Sequence, residues 1–67
     1  MPVERVTQVK GSSTISFQDA LEEGLRRANQ TLRGITQIEV LRQKVRVVKG
    51  QIKEYVVEVD IRFVLEE

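Results

Sequence analysis

The stretch SFQDALEEGLRRANQTLR, Ser16 to Arg33, decides the fold, because it is the one long segment with helical periodicity. Phe17, Leu21, Leu25, Ala28 and Leu32 recur at spacings of four, four, three and four, which lines them along one helix face. Ser16 is placed to cap the first turn through its side-chain oxygen, and Asp19, three residues on, suits the positive end of the helix. Arg26, Arg27 and Arg33 fall in the later turns, where cations are favoured. Gly34 then supplies the left-handed conformation that ends many helices. Ile15, just before the cap, is positioned to fold back on the first turn as a hydrophobic staple.

Everything outside this stretch reads as strand. On its N-terminal side, Gly11-Ser12-Ser13-Thr14 forms a polar turn, preceded by a strand over Val3 to Lys10. Neither side of that strand is cleanly apolar, which places it at a sheet edge or a subunit contact. On the C-terminal side, Ile35 to Val48 is a second extended run. Leu41, Val45 and Val47 alternate with Arg42, Lys44 and Arg46, but Ile38 and Val40 fall in phase with the basic residues. Either a bulge near Leu41 shifts the phase, or both faces are partly buried in an assembly. Lys49-Gly50-Gln51 is a turn of hairpin length. The last strand, Ile52 to Leu65, carries the clearest pattern. Tyr55, Val57, Val59, Ile61, Phe63 and Leu65 form an apolar side to face the helix. With a three-residue turn, Arg42 falls opposite Glu58 and Lys44 opposite Val56. The expected fold is α+β in the order β-α-β-β, one helix on a three-stranded antiparallel sheet. Residues 1–67 form a single domain.

Composition narrows the function. The chain has 67 residues, no cysteine and no histidine, so disulfides and the common zinc sites are absent. A domain this small gains stability most readily by oligomerisation once those routes are closed. A net charge of +1 demands neither nucleic acid nor an anionic membrane. No apolar run approaches spanning length, and the start lacks the basic-then-apolar order of a signal peptide, so the cytoplasm is the expected location.

No catalytic constellation is visible. Ser12, Ser13, Thr14, Ser16, Thr31 and Thr36 have no histidine to serve as base, and Glu22 and Glu23 point in different directions on the helix. The chain is not expected to be an enzyme. Arg42, Lys44 and Arg46, with Lys49 and Lys53 nearby, suit a phosphate contact. In-register Glu58 and Asp60 favour a solvated face of paired charges instead. Phe17, Tyr55 and Phe63 are the only aromatic residues and all fall on core positions, which argues against stacked nucleobases. Glu58 and Asp60, or the acidic end Glu66-Glu67, are the candidate ligands for a hard cation such as calcium.

In order and spacing the whole chain resembles the dodecin family. The resemblance rests on Gly11-Ser12-Ser13, then Ala20, Leu25, Ala28 and Thr31-Leu32-Arg33. Ile38-Glu39-Val40, Lys53-Glu54-Tyr55 and Phe63-Val64-Leu65-Glu66 complete it. It implies a homo-oligomer, a hollow twelve-subunit shell that stores or sequesters a small ligand. Flavin-binding members, which take riboflavin or FMN, carry a tryptophan just before the position of Ile38, stacking on the isoalloxazine ring. They also carry a glutamine after the tyrosine of the last strand, bonding the ring edge. Gln37 and Val56 stand at those two positions here. Stacking on an aromatic ring is worth about 1–3 kcal/mol per base in comparable nucleobase sites, so the expected flavin site is degenerate and its affinity weak or absent. Gln37 and Val56, with Glu39 and Arg46 added by strand phase and proximity, are the expected ligand-lining residues. The alternatives are a cofactor-free structural assembly and a calcium-binding shell, as in dodecin-like proteins associated with that ion.

Overall fold

The computed structural model describes residues 3–65; the acidic pair Glu66-Glu67 lies outside them. The elements run β1 (Val3–Ser13), α1 (Phe17–Thr31), β2 (Ile35–Val48) and β3 (Gln51–Leu65). All pairing is antiparallel and the sheet order is β1-β3-β2, so the strand with the clearest apolar side is central and β1 is an edge.

The helix starts as its sequence dictates. Ser16 is extended, and its Oγ accepts the Asp19 N–H at 2.9 Å. The segment before it departs from expectation. Gly11 to Ser13 continue β1 opposite Val57, Val56 and Tyr55 rather than forming a turn. Ser13 Oγ donates to Asp19 Oδ2 at 2.6 Å and accepts the Ile15 N–H at 2.9 Å. These bonds fix the bend into α1, and Ile15 remains 72% exposed instead of stapling the first turn. The other end is also shorter than expected. Leu32 caps the helix in extended conformation, with its N–H on the Ala28 carbonyl, so Arg33 is outside α1 and no cation occupies the last turn. Gly34 does adopt a left-handed φ of 71°. It turns the chain into β2, and its carbonyl accepts the Val64 N–H at 3.0 Å.

Packing of α1 follows a narrower line than the large apolar residues alone suggest. Ala20, Gly24 and Ala28 are its buried residues, and Phe17, Leu21 and Leu32 flank them against Val57, Val59 and Ile61. Gly24 faces Gly11 of β1, and a side chain on Gly11 would run into the Ala20 carbonyl. Two glycines therefore set how closely helix and sheet approach. A 15-residue helix is only about 22 Å long at 1.5 Å per residue, whereas the molecule extends 52 Å. It lies over β1 and β3. Val40, Leu41, Val45 and Val47 of β2, and Ile52 of β3, stay at least 37% exposed. Leu65, expected on the covered side, is likewise 40% exposed at the far end of β3.

The phase problem in β2 has a local cause. Val40 pairs with Val59 and Arg42 with Glu58, which leaves Leu41 as the extra residue of a β-bulge. Beyond it, Ile38 and Val40 sit opposite Ile61 and Val59 on the helix side, while Gln37 and Glu39 sit opposite Arg62 and Asp60 on the other. The hairpin turn contains two residues, not three. Lys49 and Gly50 both have positive φ, 54° and 76°, between paired Val48 and Gln51. The expected pairs Arg42–Glu58 and Lys44–Val56 still form, because a register shift beside Arg46 restores the missing residue on the β3 side.

Replacing Gly11 by Ala is expected to cost about 1–3 kcal/mol by overpacking the helix–sheet contact. Gly24→Ala meets only ordinary contacts, the nearest at 3.6 Å. It should stabilise by roughly 0.5–1 kcal/mol through helix propensity. Paired thermal melts test this; equal effects at the two glycines would refute the packing account.

Candidate functional site

The sheet has a second face, turned away from α1, and Gln37, Glu39, Arg46, Val56, Glu58 and Asp60 all lie on it. Directly opposed residues in a sheet share a face. Register therefore places Val6, Arg62 and Gln37 in one row, Gln8, Asp60 and Glu39 in the next, then Lys10, Glu58 and Arg42, and then Ser12, Val56 and Lys44. Glu54 and Arg46 pair nearest the hairpin. The aromatic residues are elsewhere. Tyr55 and Phe63 alternate onto the helix side, where Phe17 meets Tyr55 edge to face with centroids 5.1 Å apart.

Gln37 and Glu39 are brought together. With Val6, Asp60 and Arg62 they line a cavity of about 70 Å³, well below the roughly 300–1,000 Å³ of small-molecule sites. Val56 and Arg46 are not part of it. Val56 lies six residues along β3 from Arg62, the partner of Gln37, which is about 20 Å at 3.3 Å per residue. One subunit cannot bring Gln37 and Val56 to a single ring-sized ligand.

Between these two ends stands Glu58, a carboxylate buried in the sheet face to 9% exposure. Lys44 Nζ lies 3.1 Å and Arg42 Nε 3.9 Å from its Oε2, and Lys10 is opposite on β1. The hydrogen bond from Lys44 holds its carboxyl below the ordinary value of 4.5. Burial opposes this shift, while the charges of Lys44, Arg42 and Lys10 add to it. Arg46 pairs with Glu54 at 3.4 Å rather than with a residue further along β3, and Asp60 faces Glu39, not a base. A paired basic stripe is therefore present, with Glu54 replacing Asp60 as the second acid. Glu58 is already engaged by two cations, so the Glu58/Asp60 pair does not offer two free carboxylates to calcium. No group of three or more metal-ligating side chains occurs among the described residues.

A wider hollow was not anticipated from sequence. It is an open groove of about 1060 Å³ between the end of α1, the start of β2 and the end of β3, with Leu32, Gly34, Ile35 and Phe63 in its lining. It exists because the helix stops at Leu32 and the strands continue. None of the described helices is long and apolar enough to cross a membrane.

A half-covered antiparallel sheet with an aromatic-free polar face defines a small α+β subunit that has apolar surface left to bury. The chain belongs to the dodecin family, which it matches over residues 3–66. The dodecin of Streptomyces davaonensis has a TM-score of 0.94 at 32% identity, covering 98% of this chain and 97% of that one. For the Streptomyces coelicolor dodecin the values are 0.94 and 33%, with 98% and 94% covered. A mutant of the T. thermophilus dodecin gives 0.94 and 30%, with both chains covered completely. No curated protein matches the chain. Dodecins as a family are small flavin-binding storage proteins that form homo-oligomers.

The sign of the Glu58 shift fixes its pH dependence. A lowered carboxyl contributes stability that is complete above the unfolded-state value and is lost as pH falls through the folded-state value. Glu58→Gln is expected to melt at lower temperature than the unaltered chain near neutral pH. The two curves should converge as pH falls below about 4.5. A gap that stays constant down to about pH 3 would show that the carboxylate charge is not what stabilises the fold.

Proposed function

We propose that this protein is a non-enzymatic, homo-oligomeric small-ligand storage protein, a twelve-subunit dodecin shell in the cytoplasm. Its ligand site lies between copies and no longer grips a flavin by stacking. The observation that carries this reading is the placement of Gln37 and Val56. Both are on the polar sheet face, yet about 20 Å of strand separates them, so a pocket using both draws them from two subunits. The uncovered Val40, Val45 and Val47 supply apolar area for association. No tryptophan exists in the chain, and its three aromatic residues are turned to the helix side. The pocket's walls are then Gln37 and Glu39 from one copy, Val56 and Arg46 from another.

Light scattering with inline visible absorbance is the direct test. A mass twelve times that of the subunit, without a flavin band, is the expected outcome; a monomer at all concentrations would overturn the reading. Gln37→Trp combined with Val56→Gln should then tighten riboflavin or FMN binding by about tenfold or more, since a stacked ring is worth about 1–3 kcal/mol. Flavin fluorescence quenching measures it. An assembled double variant with unchanged affinity would show that the pocket lies elsewhere.

A further inference from the structure

Strand β2 changes step twice against β3. From Gln37 to Val40 it pairs in one ladder that ends at Val40–Val59, and beside the turn it pairs through Val47–Ile52 and Val48–Gln51. Between these ladders Arg42 to Arg46 face Glu58 to Glu54, one residue out of step with both. Leu41 takes up the offset as an unpaired residue on β2, and Lys53 does so on β3. The two irregularities have opposite sense and cancel, so the ladders on either side share one register. Sliding the segment between them by one residue would remove both, with the turn and the Val40–Val59 ladder left in place. Leu41, Gln43 and Val45 would then stand opposite Glu58, Val56 and Glu54 on the polar face. Arg42, Lys44 and Arg46 would stand opposite Val57, Tyr55 and Lys53 on the helix side.

Burial does not choose between these registers. Leu41 to Val47 are all exposed, because α1 packs on β1 and β3 rather than on β2. A one-residue slip is strongly resisted only where one face of a strand is buried. Charge does choose. In the observed register Lys44 Nζ lies 3.1 Å and Arg42 Nε 3.9 Å from Glu58 Oε2, and Arg46 Nε lies 3.4 Å from Glu54 Oε1. In the slipped one the nearly buried Glu58 faces Leu41, Glu54 faces Val45, and Arg46 meets the like charge of Lys53. Only Lys10, from β1, still stands opposite Glu58. We infer that Leu41 to Arg46 is a two-register segment, and that Glu58, through Lys44 and Arg42, holds it in the observed register. The slip takes Arg42, Lys44 and Arg46 off the polar face and brings Leu41, Gln43 and Val45 onto it. A cationic stretch of that face becomes a neutral one by a local change in a single strand. The segment behaves in this way within one subunit, whatever the assembly; in the proposed pocket, the slip withdraws the Arg46 wall.

The chain has no cysteine, so an introduced pair reports the register. Gln43→Cys with Val56→Cys puts the two thiols on opposite faces in the observed register, where Gln43 pairs with Val57 and Val56 with Lys44. In the slipped register they are direct partners, within the span of a disulfide. The rate at which oxidised glutathione closes an intrachain bridge, read by mass spectrometry of the unreduced subunit, therefore measures the slip. Adding Glu58→Gln should raise that rate about fivefold. Arg42→Gln with Lys44→Gln should do the same from the other side of the ion pair, and carries the comparison if Glu58→Gln does not fold. Deleting Leu41 and Lys53 together turns both irregularities into regular ladder while keeping the Glu58 and Glu54 pairs. This variant should not bridge, even with Glu58→Gln added. Circular dichroism verifies each fold. A bridging rate that neither set of charge substitutions changes overturns the inference. So does a folded deletion variant that bridges as fast as its parent, since the bridge then forms by general opening of the sheet. The bridge is read within one chain, so either failure leaves the storage reading standing, and a monomeric protein leaves this inference standing.

Discussion

The structure depends on a contact in which a side chain is missing. Gly11 of β1 sits beneath the Ala20–Gly24 segment of α1, close enough that a Cβ would collide with the Ala20 carbonyl. Three small helix residues, Ala20, Gly24 and Ala28, let the helix settle at that depth. The consequence is lateral: the helix is drawn over β1 and β3, and β2 is left largely to itself. Val57, Val59 and Ile61 of the central strand become the core, while Val40, Val45 and Val47 of β2 remain open. A monomer with this geometry cannot bury its own apolar surface. Its incomplete core and its need for a partner have one origin.

The strands outrun the helix, so the hairpin needs its own support. On one face that support is Glu58, held by Lys44 and Arg42, with Arg46 on Glu54 one step further. Such exposed pairs contribute little singly; Glu58 differs because it is nearly buried and faces cations on both neighbouring strands. At the tip, Lys49 and Gly50 adopt the left-handed conformations that match strand twist. Lys49 is not a residue that favours φ above zero, and Gly50 is. The turn is held by the ladder on either side as much as by its own residues.

The order of elements along the chain, the single helix and its Ser16 cap were legible in the sequence, because each rests on local periodicity or on one side chain. The bulge at Leu41 was legible too, as a break in alternation between Val40 and Arg42. What escaped was non-local. Nothing within Gly11 to Thr14 distinguishes a polar turn from the end of a strand; Tyr55, Val56 and Val57 decide it by pairing. The buried face of the helix was read mainly from Leu21, Leu25 and Leu32, which dominate its periodicity, whereas depth of burial is set by the small residues Ala20, Gly24 and Ala28. Ile15 was misread as a staple because Ser13 and Asp19 fix the bend in a way that turns Ile15 outward. The turn length was wrong by one residue, and the register came out right because a second irregularity near Lys53 compensates it. Phase put Arg46 with Val56, Glu58 and Asp60 but Gln37 and Glu39 with the apolar residues of β2; the bulge at Leu41 is what brings all six to one surface. Their distribution along it needed the register, which splits them into two groups.

That split gives the two departures from the flavin-binding pattern a common physical reading. In the proposed pocket a hydrogen-bonding residue at position 56 would be useful only when a ring is presented to it, and the subunit contributing Val56 would not be the one holding the ring. Without an aromatic at position 37 of a facing copy, the ring is not fixed and a polar side chain at 56 has nothing to meet. Between Ser12 and Lys44, on a central strand, a β-branched residue is then the better choice, since it packs on the pleated surface and costs no desolvation of a polar group. In the proposed inter-subunit pocket, Gln37 and Val56 would therefore be one change rather than two, coupled through the contact between copies.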